Sequence, residues 1–312
     1  MIKPLFSYYG GKQRLASKIL KHFPPHSVYV EPFAGGAALL FAKPVLPITN
    51  GNHYREVLND TNSLISITYR YCRDNPDAFE RLIEFTPYGK EVHIQSIEIC
   101  KNPNAYTDKE IAWAFFVNIN QGFSNTLNGG WSSSVSGGNN SYDWESRRKA
   151  LKETLQRLKS VFIEKRDALD CIKKWDSPQT LFYCDPPYPD AHQGHYGGYT
   201  IDNFAKLCRT LDGIQGSYVL SNYDQKDVFP ATATRVEMET HCSASGKGQV
   251  GADRSRKVTT EELGNRKRTE VLWVCDRSGN VRDDWKKVVA KNYAMLQENV
   301  DAPSDLFISL QA

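Results

Sequence analysis

Short apolar runs ending in Gly, Asn or Asp recur along this chain, separated by amphipathic stretches. No other feature constrains the fold as much. An apolar run followed by an amphipathic helix reads as a βα unit, and such units in series bury their apolar surfaces by setting parallel strands side by side with helices packed over them. Strands are expected at 28–33, 56–59, 161–165, 180–184, 217–221 and 269–275, and helices at 61–72 and 201–211 among others. The expected fold class is therefore α/β around a mainly parallel sheet. A chain of 312 residues is long enough to bury a substantial core on its own.

Between about 74 and 159 the βα rhythm breaks: a helical pattern surrounds 108–118, and a loop-like stretch rich in Gly, Ser and Asn follows at 121–140. A loop of that length inside a compact domain is unusual unless it binds something or is disordered. The segment reads as an inserted module, which divides the chain into 1–73, 74–159, 160–282 and 283–312. The last of these reads as a helix with Trp285, Val288, Val289, Tyr293 and Leu296 on one face, followed by a short apolar tail. Such a helix either packs on the sheet, its commoner fate, or mediates dimerisation.

Hydrophobic residues at 40% and charged residues at 24% describe an ordinary globular chain. No apolar run is long enough to span a bilayer, and Met1 to Leu5 lead into a polar stretch unlike a secretory signal, so a cytoplasmic protein is expected. The seven cysteines form no Cys-x-x-Cys pair and the seven histidines no metal-ligand spacing, so neither disulfides nor a metal site is expected. The net charge of +3 is mild, but 247–268 carries seven basic residues against three acidic ones. That stretch, with Arg254, Arg256 and Lys257 at its centre, reads either as a loop facing nucleic-acid phosphates or as a solvated surface loop.

The chemistry concentrates at Asp185-Pro186-Pro187-Tyr188, directly after the apolar run 180–184. A turn at the carboxyl end of a strand lies where open α/β sheets bind ligands. The prolines fix φ and carry no N–H, which stiffens the turn and leaves its carbonyl oxygens free to accept. An exocyclic amine is a poor nucleophile because its lone pair is delocalised into the ring. The Asp185 carboxylate and the Pro186 carbonyl are two acceptors that can orient its hydrogens and aim the lone pair at a methyl donor. Tyr188 offers a flat face on which a base rotated out of a helix can stack. A proline-stiffened loop with a capping aspartate is the plain structural alternative.

Three further segments carry weaker signals. The run 28–33 meets Ala34-Gly35-Gly36-Ala37, glycines that permit close approach of a ligand or simply make a turn. Asp60, at the end of another strand, suits the hydroxyls of a ribose or the N-cap of the next helix. Tyr8-Tyr9-Gly10-Gly11-Lys12 joins aromatic surface to a cation, but it lacks the upstream glycine and the Ser or Thr of a P-loop, with Gln13 in that place.

Taken in order, Tyr8-Tyr9-Gly10-Gly11-Lys12, Glu31-Pro32-Phe33-Ala34-Gly35-Gly36, Asn59-Asp60, Asp167 and Asp185-Pro186-Pro187-Tyr188 resemble the Dam-type, alpha-group family of adenine-N6 DNA methyltransferases. The resemblance covers most of the chain. It implies a seven-stranded Rossmann-like methyltransferase sheet, S-adenosyl-L-methionine as cofactor, double-stranded DNA as partner, and a target-recognition module inserted before the Asp-Pro-Pro-Tyr strand. By position it implies that Tyr8 and Lys12 contact the methyl donor, that Phe33 and Gly35 line its methionine half with Glu31 in the same site, that Asp60 holds its ribose, and that Asp167 lies near its adenine. Asp185, Pro186, Pro187 and Tyr188 become the catalytic set, with Asp185 also facing the cofactor. Ser221-Asn222 and 268–273 resemble late family motifs.

The chain departs from the family pattern at Tyr8, where Trp is frequent, and at Gln121, where an arginine is common. Asn118, Asn120 and Asn125 match the family's asparagine-rich DNA-contacting stretch; each can read a base edge or cap a turn. Phe123 can wedge into the gap left by a flipped base. Rival readings are methylation of cytosine N4, of RNA adenine or of a protein glutamine, and a DNA-binding relative without catalysis. Asp at the head of the tetrapeptide favours adenine by resemblance.

Overall fold

The computed structural model describes residues 2–8, 10–46, 54–133, 140–189, 198–222, 227–241 and 267–300, the side chains of 239–241, 267–269 and 295–300 excepted. Seven strands form one sheet: β1 Val28–Glu31, β2 Arg55–Asn59, β3 Val161–Glu164, β4 Thr180–Cys184, β5 Ser217–Asn222, β6 Thr234–His241 and β7 Lys267–Cys275. Their order is β3-β2-β1-β4-β5-β7-β6. The first five run parallel, and β7 is antiparallel to both β5 and β6.

The central strands are apolar throughout because both of their faces are covered. β1, β4 and β5 are buried at every residue. Alternate residues point to opposite layers. Tyr29, Leu58, Leu181 and Val219 join one core, and Val30, Val57, Phe182 and Leu220 join the other. On the second face pack α8 (Ala168–Trp175) and α9 (Ile201–Gly213), through Cys171, Ile172, Phe204 and Leu211.

The other face carries α1 (Ala16–Leu20), α2 (Ala38–Ala42) and α3 (Ser63–Asp74), then four helices that intervene before β3: α4 (Pro76–Glu84), α5 (Lys90–Lys101), α6 (Asp108–Gln121) and α7 (Asn140–Leu158). α6 is apolar nearly all round, as a central helix must be. Ile111, Phe115, Phe116, Val117 and Ile119 are buried, and α3, α4, α5 and α7 pack against it. A capping box starts it: Thr107 accepts from Glu110 N while the Glu110 carboxylate accepts from Thr107 N. The final helix, α10 (Asp283–Val300), packs inward. Trp285 meets Tyr54, and Tyr293 meets Phe23 and His26 beside α1. That is the packing alternative of the two the sequence left open.

Two sequence expectations change. The strand Thr234–His241 has no counterpart in the expected set. Its alternation is interrupted by charge because most of it is an exposed edge; of its described side chains only Met238 is buried. Lys267 and Arg268, read as part of a basic loop, instead belong to β7, paired with His241 and Thr240. The rest of that stretch, with Arg254, Arg256 and Lys257, lies outside the described residues. No helix among the described residues is long and apolar enough to cross a membrane.

Candidate active site

The strand order turns between β1 and β4, and each strand end around that point delivers one segment to the same crevice. β4 runs from Cys184 straight into Asp185 and the two prolines. The Lys12 ammonium, from the amino-terminal loop, donates to both Asp185 oxygens at 2.7 and 2.8 Å and to the Gly10 carbonyl at 3.1 Å. It also lies 5.1 Å from the centre of the Tyr188 ring, a cation–π distance. Lys12 is 7% exposed and the Asp185 side chain 20%, so the carboxylate is the part of this pair that opens to the crevice.

The Tyr188 hydroxyl points inward. It donates to Glu270 of β7 and stands 3.4 Å from Asp185 Oδ1. Ser221, near the end of β5, donates to the same Glu270 oxygen at 2.7 Å, and that oxygen is 3.6 Å from Lys12 Nζ. Two carboxylates thus share one ammonium. Burial raises the Asp185 carboxyl above the ordinary aspartate value; Lys12 pulls against this and Glu270 adds to it.

Beyond β1 the chain turns at Gly35, whose φ of +46° falls in the left-handed region that favours glycine. Its N–H donates to Asp60 Oδ2 at 2.9 Å, and its carbonyl accepts from Tyr69 at 3.0 Å. Tyr8 covers this turn: a Cβ at Gly35 would meet its ring at 3.4 Å, and one at Gly36 would meet the Phe6 carbonyl at 3.1 Å. Asp60 Oδ1 accepts from Asn62 N at 2.9 Å, so each oxygen holds one backbone N–H and keeps a lone pair. Burial outweighs those bonds and raises the Asp60 carboxyl. Glu31 is sealed beneath: it accepts from Tyr29 at 2.8 Å and from Leu40 N at 2.9 Å, and burial pushes it up to about 8. Phe33 meets Tyr199 edge-on at 6.3 Å, and the Tyr199 hydroxyl is buried with no hydrogen-bond partner among the described residues.

Asp167, which the resemblance puts near the cofactor's adenine, is an exposed N-cap of α8 that accepts from Leu169 N at 2.8 Å. Two of the asparagines turn inward. Asn118 is fully buried, with Oδ1 taking Asn128 N at 2.8 Å and Nδ2 reaching Asn128 Oδ1 at 3.2 Å, so its amide clamps the loop instead of facing a base. Asn120 donates to the Phe116 carbonyl within its own helix and its carbonyl oxygen is buried. Gln121 is likewise buried, holding Pro87 and Gly89. Together these amides brace the loop after α6, where a Cβ at Gly122 would stand 2.6 Å from the Asn118 carbonyl. Ser124, Asn125 and Asn128 there take positive φ, and Phe123 stands 66% exposed.

Sequence reasoning gave no individual role to three residues here, two of which, Asn59 and Glu270, lie inside stretches that carry the family resemblance. Glu270 was hidden in an apolar strand, where only its rarity as a charge in a buried run marks it. Tyr199 follows the tetrapeptide with no motif of its own. Asn59, fully buried, ties three strand ends together by donating to the Pro32 and Arg166 carbonyls and accepting from Arg166 N.

Comparison with known proteins agrees with this geometry. Residues 8–229 match the model of the D12 class N6 adenine-specific DNA methyltransferase family. The chain is 24% identical over 260 residues to the type II methyltransferase M.MjaIII of Methanocaldococcus jannaschii, an alignment covering 73% of this chain and 86% of that protein. With the match spanning most of the chain and every one of the strand-end segments but β7, this protein belongs to the D12 class N6 adenine-specific DNA methyltransferases.

Proposed function

We propose that the methyl donor is S-adenosyl-L-methionine, that the acceptor is the N6 amine of an adenine swung out of double-stranded DNA, and that the reaction runs in the cytoplasm. The observation carrying this reading is the Asp185 carboxylate, largely buried but open to the crevice, and fixed by Lys12 beside Pro186 at the strand-order turn. Among the described residues the donor set suits this cofactor: Asp60 keeps a lone pair on each oxygen for a ribose, the Tyr199 hydroxyl lacks a partner, and the excess of carboxylate over ammonium suits a sulfonium cation. Tyr8, Lys12, Phe33 and Gly35 would hold the rest of it. When bound, it supplies a methyl group already activated by positive sulfur.

Asp185 and the Pro186 carbonyl accept the two amine hydrogens and aim the nitrogen lone pair, and Tyr188 bears on the base. Because the amine sheds its proton during or after attack, Asp185 acts as an orienting acceptor and no strong base is needed. Residues 74–159 form the target-recognition module, with Phe123 as the wedge and Asn125 beside it at the duplex. Residues 247–266 add phosphate contacts. The test is transfer of labelled methyl to duplex DNA of mixed sequence, with modified positions read by sequencing. Label on adenine N6 at a repeated motif is expected; a wild type that labels no DNA overturns the reading.

A further inference from the structure

Glu270 lies outside the segment that matches the family model, yet its carboxylate meets the Asp-Pro-Pro-Tyr turn from below. We infer that Glu270 is a positioning residue for methyl transfer: it anchors the Tyr188 hydroxyl, and so fixes the ring against which the target base is held. This rests on the reading of 185–188 as the base-holding turn.

A tyrosine ring is set by two torsions, and its direction is locked when the hydroxyl at its far end is tied down. That hydroxyl has one proton to give. Asp185 Oδ1 stands at 3.4 Å, while Glu270 is much nearer and takes it. Glu270 also takes the Ser221 proton at 2.7 Å. Both hydroxyls are therefore satisfied by Glu270, and Asp185 keeps acceptor capacity for the incoming amine. The anchor itself is rigid, because β7 is hydrogen-bonded on one edge to β5 and on the other to β6, with Glu270 in register with Met238. Among the described residues the charged and titratable groups facing Asp185 are Lys12, Glu270, Tyr188, Tyr183 and, more remotely, Glu31. A buried carboxylate beside a second one is costly to keep. Lys12, 3.6 Å away, offsets that cost for a group the fold of β7 alone does not require.

The experiment compares Glu270→Gln, Glu270→Asp, Tyr188→Phe and the double variant Tyr188→Phe/Glu270→Gln with wild type, on duplex carrying the methylated motif. Glu270→Gln is expected to lower kcat by about 10-fold or more, the scale of a displaced reacting group, with both KM values within about threefold and an unchanged melting temperature. In the Tyr188→Phe background the same change should cost far less, because its route is already gone. Loss of the Glu270 charge also moves the acidic limb of kcat/KM to lower pH, which a purely structural residue would not do. If Glu270→Gln does not fold, Glu270→Asp keeps the charge, and its acidic limb should stay in place while kcat falls. A kcat within about twofold of wild type, or losses that multiply fully in the double variant, overturns the inference. A wild type that transfers no methyl removes the underlying reading, and this inference with it.

Discussion

Two buried ionic clusters sit on one sheet and carry opposite imbalances. In the first, Glu56 of β2 lies between Lys43 and Arg157, all three almost inaccessible. Arg157 also donates to the Leu40 carbonyl at 3.0 Å, so the last helix before β3 is pinned to β2 and α2 together. The Lys43 ammonium stands 4.9 Å from the Tyr29 ring centre and 4.6 Å from that of Tyr54. Burial works against the Glu56 charge, but Lys43 and Arg157 outweigh it and hold the carboxyl below the ordinary glutamate value. In the second cluster two carboxylates share Lys12, and Asp185 is displaced upward instead. The first cluster is closed by partners from the chain itself. Among the described residues the second holds more carboxylate than ammonium at an opening, the arrangement that on the proposed reading a cation or an amine from outside completes.

The sharpest way to break this contrast is to remove the two central carboxylates in turn. Asp185→Ala should reduce kcat by about 10³-fold, the scale on which loss of one preorganised electrostatic contact acts, while the protein stays folded. Near-normal turnover would mean that the open cluster is not the reaction centre. Glu56→Gln strands two buried cations and should lower unfolding stability by about 3–5 kcal/mol in urea titrations. The fraction that remains folded should turn over at close to the wild-type kcat. A large kcat loss in folded Glu56→Gln would merge the two clusters into one functional unit.

The two clusters were unequally legible in the sequence. Asp185 and Tyr188 stand side by side in a tetrapeptide after an apolar run, and Lys12 follows two glycines, so local pattern reaches them. The central sheet was legible for the same reason, since burial on both faces writes β1, β4 and β5 as continuous apolar runs. Glu56 and Arg157 are 101 positions apart, and Tyr188 and Glu270 are 82 apart; neither pairing has a local signature. Asn118 shows the converse case. Its residue type suits base reading, but whether an amide faces DNA or the loop behind it depends on burial, which one helix turn decides.

The second cluster can be tuned in both directions. Lys12 is the cation that lowers Asp185, so Lys12→Met should move the acidic limb of kcat/KM to higher pH, opposite to the shift expected for Glu270→Gln. The pH profiles of the two variants, measured beside wild type, check this. Limbs moving the same way would show that Asp185 is not the group being titrated.

The smallest effect expected is on stability, and it separates the clusters by sign. Asp185 has a raised carboxyl in the fold, so its contribution is fully present below the ordinary aspartate value of 3.8 and is lost as pH rises through the raised one. Asparagine does not titrate. Asp185→Asn should therefore gain stability relative to wild type as pH rises from 4 toward neutrality, by a few degrees in Tm at most. Glu56 is lowered, so its contribution is present above the ordinary glutamate value of 4.5 and is lost as pH falls. The deficit of Glu56→Gln should accordingly be full near neutral pH and shrink in acid. Urea unfolding of both variants and wild type across that range reads the two slopes directly. Opposite tilts are what a sealed cation-rich cluster and an open anion-rich one require, and parallel tilts would show that both carboxylates are held by the fold in the same way.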